Sequence, residues 1–317
     1  MVDTTLAPAI FGLSSTTLTT EEKDLFEQVV PFGYIVFSRN CDNPQQLRAL
    51  TDSLKSLHDV EPLILIDQEG GRVARLKAPH WEHPPAPECY AKQAETCLDD
   101  ACNNAREGSR AIARTLRESG INTNCAPMCD LRYPHSHNII GDRAYGETSS
   151  QVTALANAVA QGLLDKSVLP ILKHIPGHGR ATCDSHLELP VIDASIKELQ
   201  QDFAPFSTLC HYPLAMTAHI IYSAIDPLHP ATLSHNVIKI IRDNIGFKGL
   251  LMSDDICMKA LTDDVETITH KALDAGCDLV LHCNGNYEEM QYIAKALAQH
   301  NRLPTSALIS LHDYRLQ

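Results

Sequence analysis

The chain has 317 residues, of which 44% are hydrophobic and 21% are charged, and its formal net charge is −13. This composition is typical of a globular protein with a large core. The negative charge, with no basic run to offset it, argues against binding to nucleic acid or to an anionic membrane surface. We therefore expect neither a nucleic-acid partner nor a membrane partner.

The first residues show no basic segment followed by an apolar one, and no apolar window approaches the roughly 18 residues that span a bilayer. The eleven cysteines form no CxxC pair and no zinc-binding spacing. An odd number of cysteines without an export signal indicates reduced, mostly buried thiols. We expect a cytoplasmic protein.

Short apolar runs alternate with amphipathic stretches along the whole chain. The predicted strands are 9–13, 34–37, 63–66, 122–126, 169–172, 215–218, 250–252 and 279–281. The first two helices start at recognisable caps, because Thr19 forms a capping box with Glu22 and Asn43 precedes Pro44. Later helices are predicted over 98–118, 149–166, 194–209, 233–244, 262–275 and 286–299.

Eight strands alternating with helices favour an α/β protein, a single (β/α)8 TIM barrel formed by residues 1–317. A Rossmann fold is disfavoured, because no GxGxxG follows the first strand. The one long departure from the alternation is 67–122, whose proline-rich segment 84–87 we interpret as an ordered surface loop.

The segment after the fifth predicted strand carries the densest set of ionisable residues. The apolar run 168–172 leads into KHIPGHG, and Asp184, Ser185 and His186 follow shortly after it. Two glycines and a proline cannot continue a strand or a helix, so we predict an irregular loop from Lys173 onward. Because α/β proteins bind ligands at the carboxyl ends of their strands, we place the active site here.

Polar residues also follow other predicted strands. They are 67–72 with Arg75 after the third strand, Asp130 with 141–143 after the fourth, Thr217 with His219 after the sixth, and 253–255 after the seventh. Any one of them alone would more often be a helix cap or a surface ion pair. Their convergence on one face of a barrel indicates a functional site.

Two sets of residues suggest catalytic chemistry. Asp254 directly follows a strand, so a rigid element can hold its carboxylate as a nucleophile requires, whereas Asp255 is expected to cap a helix. Asp184 and His186 are two residues apart, so in an extended loop their side chains project to the same side. The carboxylate can then orient the imidazole and help to keep it protonated, as in an acid/base dyad.

A second group offers carboxylate, guanidinium and ammonium groups that suit a ligand dense in hydroxyls, such as a sugar. The members are Asp67, Arg75, Arg143, Lys173 and His174. His178 lies between two glycines and is interpreted as a support for the loop rather than as a catalytic group.

These motifs together resemble glycoside hydrolase family 3. The resemblance is carried by KHIPGHG with Asp184-Ser185-His186, by DQEGGRV at 67–73 and by SDD at 253–255, and it extends over nearly the whole chain. Within the family, the chain is similar to the bacterial β-N-acetylhexosaminidases (β-N-acetylglucosaminidases) of peptidoglycan recycling. Ile175 stands where the family usually has Phe.

The resemblance implies a TIM barrel that hydrolyses terminal, non-reducing, β-linked N-acetylglucosamine (GlcNAc) with retention. Asp254 would form a covalent glycosyl-enzyme, and His186, paired with Asp184, would act as acid and then as base. A histidine acid departs from the usual pair of carboxylates about 5–5.5 Å apart, and its loop would have to close over the sugar.

The implied substrate is a GlcNAc-containing muropeptide or disaccharide. No cofactor and no metal is expected, and the protein is expected to be a monomer or a weak dimer.

Three alternatives stay open. A metal-dependent hydrolase could use His174, His178, Asp184 and His186 as zinc ligands. A phosphorolytic enzyme would transfer the glycosyl unit to phosphate, which a histidine acid/base would repel less than a carboxylate would. A non-catalytic sugar-binding barrel would need neither a nucleophile nor a proton shuttle.

Overall fold

The structure is a computed structural model that describes residues 5–185 and 187–316. Its strands are β1 (Thr5–Gly12), β2 (Pro31–Val36), β3 (Leu63–Ile66), β4 (Gln68–Gly70), β5 (Val73–Ala74), β6 (Thr123–Asn124), β7 (Leu169–Pro170), β8 (Leu172–Ile175), β9 (Val191–Ile192), β10 (Leu214–Thr217), β11 (Ile221–Tyr222), β12 (Leu250–Asp255), β13 (Leu279–His282) and β14 (Leu303–Pro304). Its α-helices are α1 (Thr20–Val29), α2 (Pro44–Lys55), α3 (Pro87–Ala94), α4 (Leu98–Glu118), α5 (Ser149–Leu164), α6 (Ile196–Thr208), α7 (His235–Ile240), α8 (Val265–Ala275), α9 (Tyr287–Leu297) and α10 (Thr305–Arg315).

The main sheet closes into a parallel barrel. Its strands follow the order β7-β6-β3-β2-β1-β13-β12-β10-β8. Only Ile171 separates β7 from β8, so these two act as one strand that pairs with β6 through its first half and with β10 through its second half. This continuity joins the two ends of the sheet, so the closed barrel has eight strand positions. The predicted (β/α)8 TIM barrel is confirmed.

Two hydrophobic cores follow from the alternation of side chains along the strands. The interior core is formed by residues such as Ile10, Leu65, Leu169 and Leu279. The larger core lies between the strands and the helices that surround them. Residues of α10 join the interior core, and this helix covers the amino-terminal end of the barrel.

The predicted helix starts of α1 and α2 are confirmed. Thr19 and Glu22 form a reciprocal capping box, and the Asn43 side chain accepts a hydrogen bond from the amide of Gln46. Asp255, however, caps no helix, so that prediction is wrong. The next helix, α8, begins ten residues later behind Asp264.

Other differences lie where the structure extends or adds an element. Lys173 and His174 belong to β8 rather than to a loop, because pairing with β10 continues as far as Ile175, ahead of the first glycine. The predicted surface loop 84–87 is followed directly by an additional helix, α3, which starts at Pro87, a position that suits proline. The chain also adds β14 and α10 after the last predicted helix.

All eleven cysteines lie within the described residues as free thiols. Four of them are buried, six are half-buried and Cys89 is exposed, so the expectation that most thiols are buried is wrong. Within 5–185 and 187–316, the structure contains no helix with the length and apolar character needed to cross a membrane.

Candidate active site

A cavity of about 520 Å³ opens at the carboxyl ends of the barrel strands. Its polar lining includes Asp67, Glu69, Arg72, Arg75, Arg143, Lys173, His174, His178, Ser185, Asp254 and Asp255. Its apolar lining includes Ile35, Phe37, Met216, Leu281 and Cys283. The predicted sugar-binding residues and the predicted nucleophile therefore surround one space.

Lys173 and His174 both line this cavity although they are consecutive in β8. In a regular strand they would point to opposite faces. The register against β10 shifts here, because Met216 pairs with Lys173 and Thr217 pairs with Ile175. Such a bulge re-aims a side chain. The peptide bond between Lys173 and His174 is cis.

The Lys173 ammonium joins two carboxylates on the cavity wall. Its Nζ lies 2.9 Å from Asp67 Oδ1 and 2.6 Å from Glu69 Oε1. Asp67 Oδ2 also lies 3.0 Å from Arg75 Nη2, and Glu69 binds Arg143 through two contacts of 2.8 and 2.9 Å. The structure thus links two acids and three cations in one buried network.

Charge pairing outweighs burial in this network. Burial alone would raise the pKa of the Glu69 carboxyl, but Arg143 and Lys173 lower that pKa to about 2. Burial likewise opposes the charged form of Lys173, yet Asp67 and Glu69 raise the pKa of its ammonium above the usual value. Both side chains are therefore ionised at neutral pH.

Asp130 holds the segment that carries His174 and His178. Its Oδ2 lies 2.7 Å from His174 Nδ1, and its Oδ1 accepts a 2.6 Å hydrogen bond from the His178 amide. Because a carboxylate only accepts, the proton of His174 sits on Nδ1. Although burial opposes ionisation, His174 lowers the pKa of Asp130.

His178 is buried, and its Nε2 lies 3.1 Å from Ser185 Oγ. Burial and the neighbouring His174 lower the pKa of the His178 imidazole to about 4, so the ring is neutral at pH 7. Its backbone and ring contacts both hold the loop, which is the role expected for a supporting residue.

Asp254 lies near the end of β12, on the same side of the strand as the inward-facing Met252. Its amide is 3.4 Å from Thr217 Oγ1, and its Oδ1 accepts a 2.8 Å hydrogen bond from the Asp255 amide. Asp255 Oδ1 in turn accepts the amide of Cys257 at 3.1 Å. Burial raises the pKa of the Asp255 carboxyl to about 6.

The loop after β8 is anchored at its base. Arg180 Nε lies 2.7 Å from Asp202 Oδ2 on α6, and the Tyr222 hydroxyl donates to the Gly177 carbonyl at 2.7 Å. A Cβ at Gly179 would lie 2.0 Å from the Leu131 carbonyl oxygen, so a side chain would not fit there.

The second half of this loop brings Ser185 to the cavity. Asp184 beside it is half-buried, and its carbonyl accepts the amides of Leu187 and Glu188 at 2.9 and 3.0 Å. The predicted acid/base residue His186 lies outside the described residues.

Two carboxylates of the site were missed at the sequence level: Glu69, which lines the cavity, and Asp130, which lies behind His174 and His178. Each could have been found from spacing. Glu69 is two residues after Asp67, and Asp130 stands in the polar segment after the fourth predicted strand. What the sequence does not show is that Glu69 meets Arg143 and that Asp130 meets His174.

The alternative zinc set is not assembled among the described residues. His174 Nδ1 is engaged by Asp130, and His178 Nε2 by Ser185. The His/Cys/Asp/Glu cluster with metal-ligand proximity in 5–185 and 187–316 is a different one, made of Cys257, His282 and Glu289.

Comparison with known proteins agrees with this fold and identifies the family. Residues 11–310 match the family described as the glycosyl hydrolase family 3 N terminal domain. A β-hexosaminidase of Alkalilimnicola ehrlichii is 36% identical over 313 residues, which cover 97% of this chain and 89% of that protein. A β-hexosaminidase of Nitrosomonas eutropha is 35% identical over 286 residues, which cover 88% of this chain and 81% of that protein.

The solved structures include NagZ from Neisseria gonorrhoeae in complex with N-trifluoroacetyl-D-glucosamine. It superposes with a TM-score of 0.88 at 30% identity and covers 99% of this chain and 91% of the NagZ chain. The barrel with an acidic and basic cavity at its carboxyl end is of the glycosidase class. The chain belongs to glycoside hydrolase family 3.

Proposed function

We propose that this protein is a retaining β-N-acetylhexosaminidase that removes terminal, non-reducing GlcNAc from peptidoglycan fragments. The observation that carries the proposal is the position of Asp254, which lines the same cavity as the buried network of Asp67, Glu69, Lys173 and Arg143. A carboxylate on a rigid strand thus faces a wall suited to sugar hydroxyls.

The activity is supported by the relatives. Proteins named β-hexosaminidase match most of this chain at 35–36% identity, and the structurally similar NagZ was solved with a GlcNAc analogue. The finer substrate, a muropeptide or disaccharide from peptidoglycan, follows from the family resemblance. A cytoplasmic location suits a chain whose eleven cysteines are all free thiols.

In the proposed mechanism, the Asp254 carboxylate attacks the anomeric carbon while the bond from that carbon to the leaving oxygen breaks. His186 gives its proton to the leaving oxygen, which departs as an alcohol. His186 then takes a proton from water as the water oxygen attacks the anomeric carbon. This second step releases Asp254 and gives GlcNAc with its original anomeric configuration. The role of His186 rests on its spacing from Asp184 and on the family resemblance.

The sugar-binding role of the network follows from its unused donors and acceptors. The Lys173 ammonium has three N–H donors and spends two on Asp67 and Glu69. Arg143 directs two N–H groups to Glu69 and one to the Ile139 carbonyl, which leaves two. His174 uses Nδ1 on Asp130, so Nε2 is left for a hydrogen bond with a ligand hydroxyl.

Hydrolysis is favoured over phosphorolysis by the pairing of the cavity cations. Arg72 is paired with Asp142, Arg75 with Asp67, and Arg143 and Lys173 with Glu69. An incoming phosphate would have to compete with these carboxylates. Turnover that is unchanged by added phosphate supports water as the acceptor, and turnover that requires phosphate contradicts it.

The deciding experiment traps the glycosyl-enzyme with a slow fluorinated aryl GlcNAc analogue and maps the modified peptide by mass spectrometry. We expect one label per chain on Asp254. A label on another residue removes Asp254 from the nucleophile role. Absence of both labelling and aryl-glycoside turnover favours the non-catalytic sugar-binding barrel.

A further inference from the structure

Three potential metal ligands meet on the outer side of the barrel wall. His282 ends β13 and points away from the interior, whereas its neighbours Leu281 and Cys283 line the catalytic cavity. Cys257 lies in the loop after β12, and Glu289 lies in the first turn of α9. The barrel wall thus separates this cluster from the catalytic cavity.

The three side chains converge on one oxygen. Cys257 Sγ lies 3.3 Å from Glu289 Oε2, and His282 Nε2 lies 3.1 Å from the same atom. All three candidate ligand atoms are within 4.8 Å of one another. The side-chain amide of Asn284 also donates, through Nδ2, to Glu289 Oε2 at 2.6 Å, and this bond holds the carboxylate toward the cluster.

We propose that Cys257, His282 and Glu289 bind a zinc ion. A thiolate, an imidazole and a carboxylate are the ligand types that Zn²⁺ takes in proteins, at bond lengths of about 2.0 to 2.3 Å. In a tetrahedral site these bonds place neighbouring ligand atoms about 3.3 to 3.7 Å apart. The observed separations of 3.1 and 3.3 Å need to widen by only a few tenths of an ångström.

Solvent can supply the fourth ligand. The His282 side chain is 1% exposed, but the Glu289 side chain is 31% exposed, so the cluster is buried on one side and open on the other. A water molecule can complete a tetrahedron from the Glu289 side. The Zn²⁺, thiolate and carboxylate charges sum to zero, which suits a half-buried site.

Zinc binding at this site releases one proton. In the metal-free chain the Cys257 S–H donates a hydrogen bond to the Glu289 carboxylate, so zinc binding breaks the S–H bond, releases that proton to solvent and forms an S–Zn bond. His282 must present the Nε2 lone pair, so its ring proton moves from Nε2 to Nδ1. The ring stays neutral and no redox partner is involved.

The ion would tie the segment after the proposed nucleophile to the rest of the barrel. Asp255 Oδ1 accepts the amides of Cys257 and Cys283, both at 3.1 Å. The amide of Ile256, the residue before Cys257, also donates to the Leu281 carbonyl at 2.9 Å, so this segment is already held to the end of β13. A zinc bridge to His282 and Glu289 adds a further tie, so we expect a stabilising rather than a catalytic ion.

The test uses the full chain, stripped with a chelator, loaded with Zn²⁺ or Co²⁺, and dialysed. We expect one zinc per chain, a near-ultraviolet thiolate-to-cobalt charge-transfer band, and a melting temperature that rises with Zn²⁺. Cys257→Ser and His282→Gln should lose the band and retained zinc, since each removes a ligand. Cys89→Ser, which removes the exposed thiol, is the matched control and should keep all three properties.

Saturating GlcNAc in parallel samples separates this site from zinc held by histidines in the catalytic cavity, because the sugar should not displace the ion bound at Cys257. The proposal is overturned if the wild type does not retain zinc or if both variants still retain it. It is also overturned if GlcNAc displaces the bound zinc. A variant whose melting temperature falls below that of the metal-free wild type is itself destabilised. In that case Cys257→Ala and Glu289→Gln are compared with the wild type instead.

Discussion

Asp130 holds two histidines of one segment, His174 through the side chain at 2.7 Å and His178 through the backbone amide at 2.6 Å. Asp130 is fully buried and contacts the cavity only through these residues. It therefore acts as a positioning residue, and the tautomer of His174 depends on it.

Replacement of Asp130 tests that dependence. Asp130→Asn replaces one of the two acceptor oxygens with an NH2 group. The single remaining oxygen can then accept from His174 Nδ1 or from the His178 amide, but not from both in the present geometry. A hydrogen bond to a charged group contributes about 1.5–3 kcal/mol, so we expect kcat/KM on an aryl GlcNAc substrate to fall roughly 10- to 100-fold. The control is Asp226→Asn, a carboxylate that also accepts two backbone amides but lies outside the cavity lining. Equal kcat/KM for both variants would remove Asp130 from this role.

Glu69 should be a large contributor to stability. Glu69→Gln leaves Arg143 and Lys173 buried with reduced charge compensation, which costs about 3–5 kcal/mol of unfolding free energy. Urea denaturation at pH 7 measures this loss. Glu88→Gln is the control, because Glu88 pairs with Lys92 and Arg132 at the surface, where such pairs contribute about 1 kcal/mol or less. Similar losses in the two variants would mean that the network is not as buried as described.

The pH dependence of stability should carry a contribution from His178. Burial and His174 lower the pKa of its imidazole to about 4 in the folded chain, whereas an unfolded histidine titrates near about 6.5. Between these values the unfolded chain binds a proton that the folded chain does not, so stability falls as pH drops from about 6.5 to 4.

His178→Gln should remove up to about 3 kcal/mol of that pH-dependent change. Denaturant unfolding at pH 4.5, 5.5, 6.5 and 7.5 gives the profile, and His235→Gln, which removes an exposed imidazole, is the control. A His178→Gln profile parallel to the wild type would show that the buried ring is not neutral.

Asp254→Ala should abolish turnover and leave the fold intact, because the residue lies at the rim of the barrel and is half-buried. The measurements are aryl-glycoside hydrolysis and the melting temperature. Near-normal activity with an unchanged melting temperature would argue against the proposed nucleophile.

The acid/base dyad predicts a dependence on the leaving group. His186→Ala should slow substrates with poor leaving groups more than activated aryl glycosides, since only the former need full protonation. Asp184→Ala should show the same selectivity in milder form. Equal losses on both substrate types would contradict an acid role for His186, and a larger defect in Asp184→Ala would point to a separate task for Asp184.

The barrel could be predicted because its signals are local. Apolar runs of strand length alternate with helical periodicity, and caps such as Thr19 and Asn43 mark helix starts without tertiary information. The extension of β8 through Lys173 and His174 was not predicted, since it depends on hydrogen bonding to β10, a strand some forty residues away. Polar residues next to glycine and proline are predicted as a loop when the strand that pairs with them is unknown.

The sequence predicted many residues of the candidate site, but not the contacts between them. Six predicted site residues line one cavity in the structure: Asp67, Arg75, Arg143, Lys173, His174 and Asp254. The pairing of Glu69 with Arg143 spans 74 positions in sequence. Residue order alone does not reveal such a contact, and the supporting carboxylates Glu69 and Asp130 were missed for that reason.

α10 blocks the amino-terminal end of the barrel, with Leu308 and Leu311 packed among the interior side chains. The cavity is therefore a blind pit and not a tunnel, so a glycan cannot thread through it, which suits the proposed action on a chain end. In the proposed reaction the departing alcohol stands between the bound sugar and the mouth. The water that hydrolyses the glycosyl-enzyme must then enter through the same opening by which the alcohol leaves.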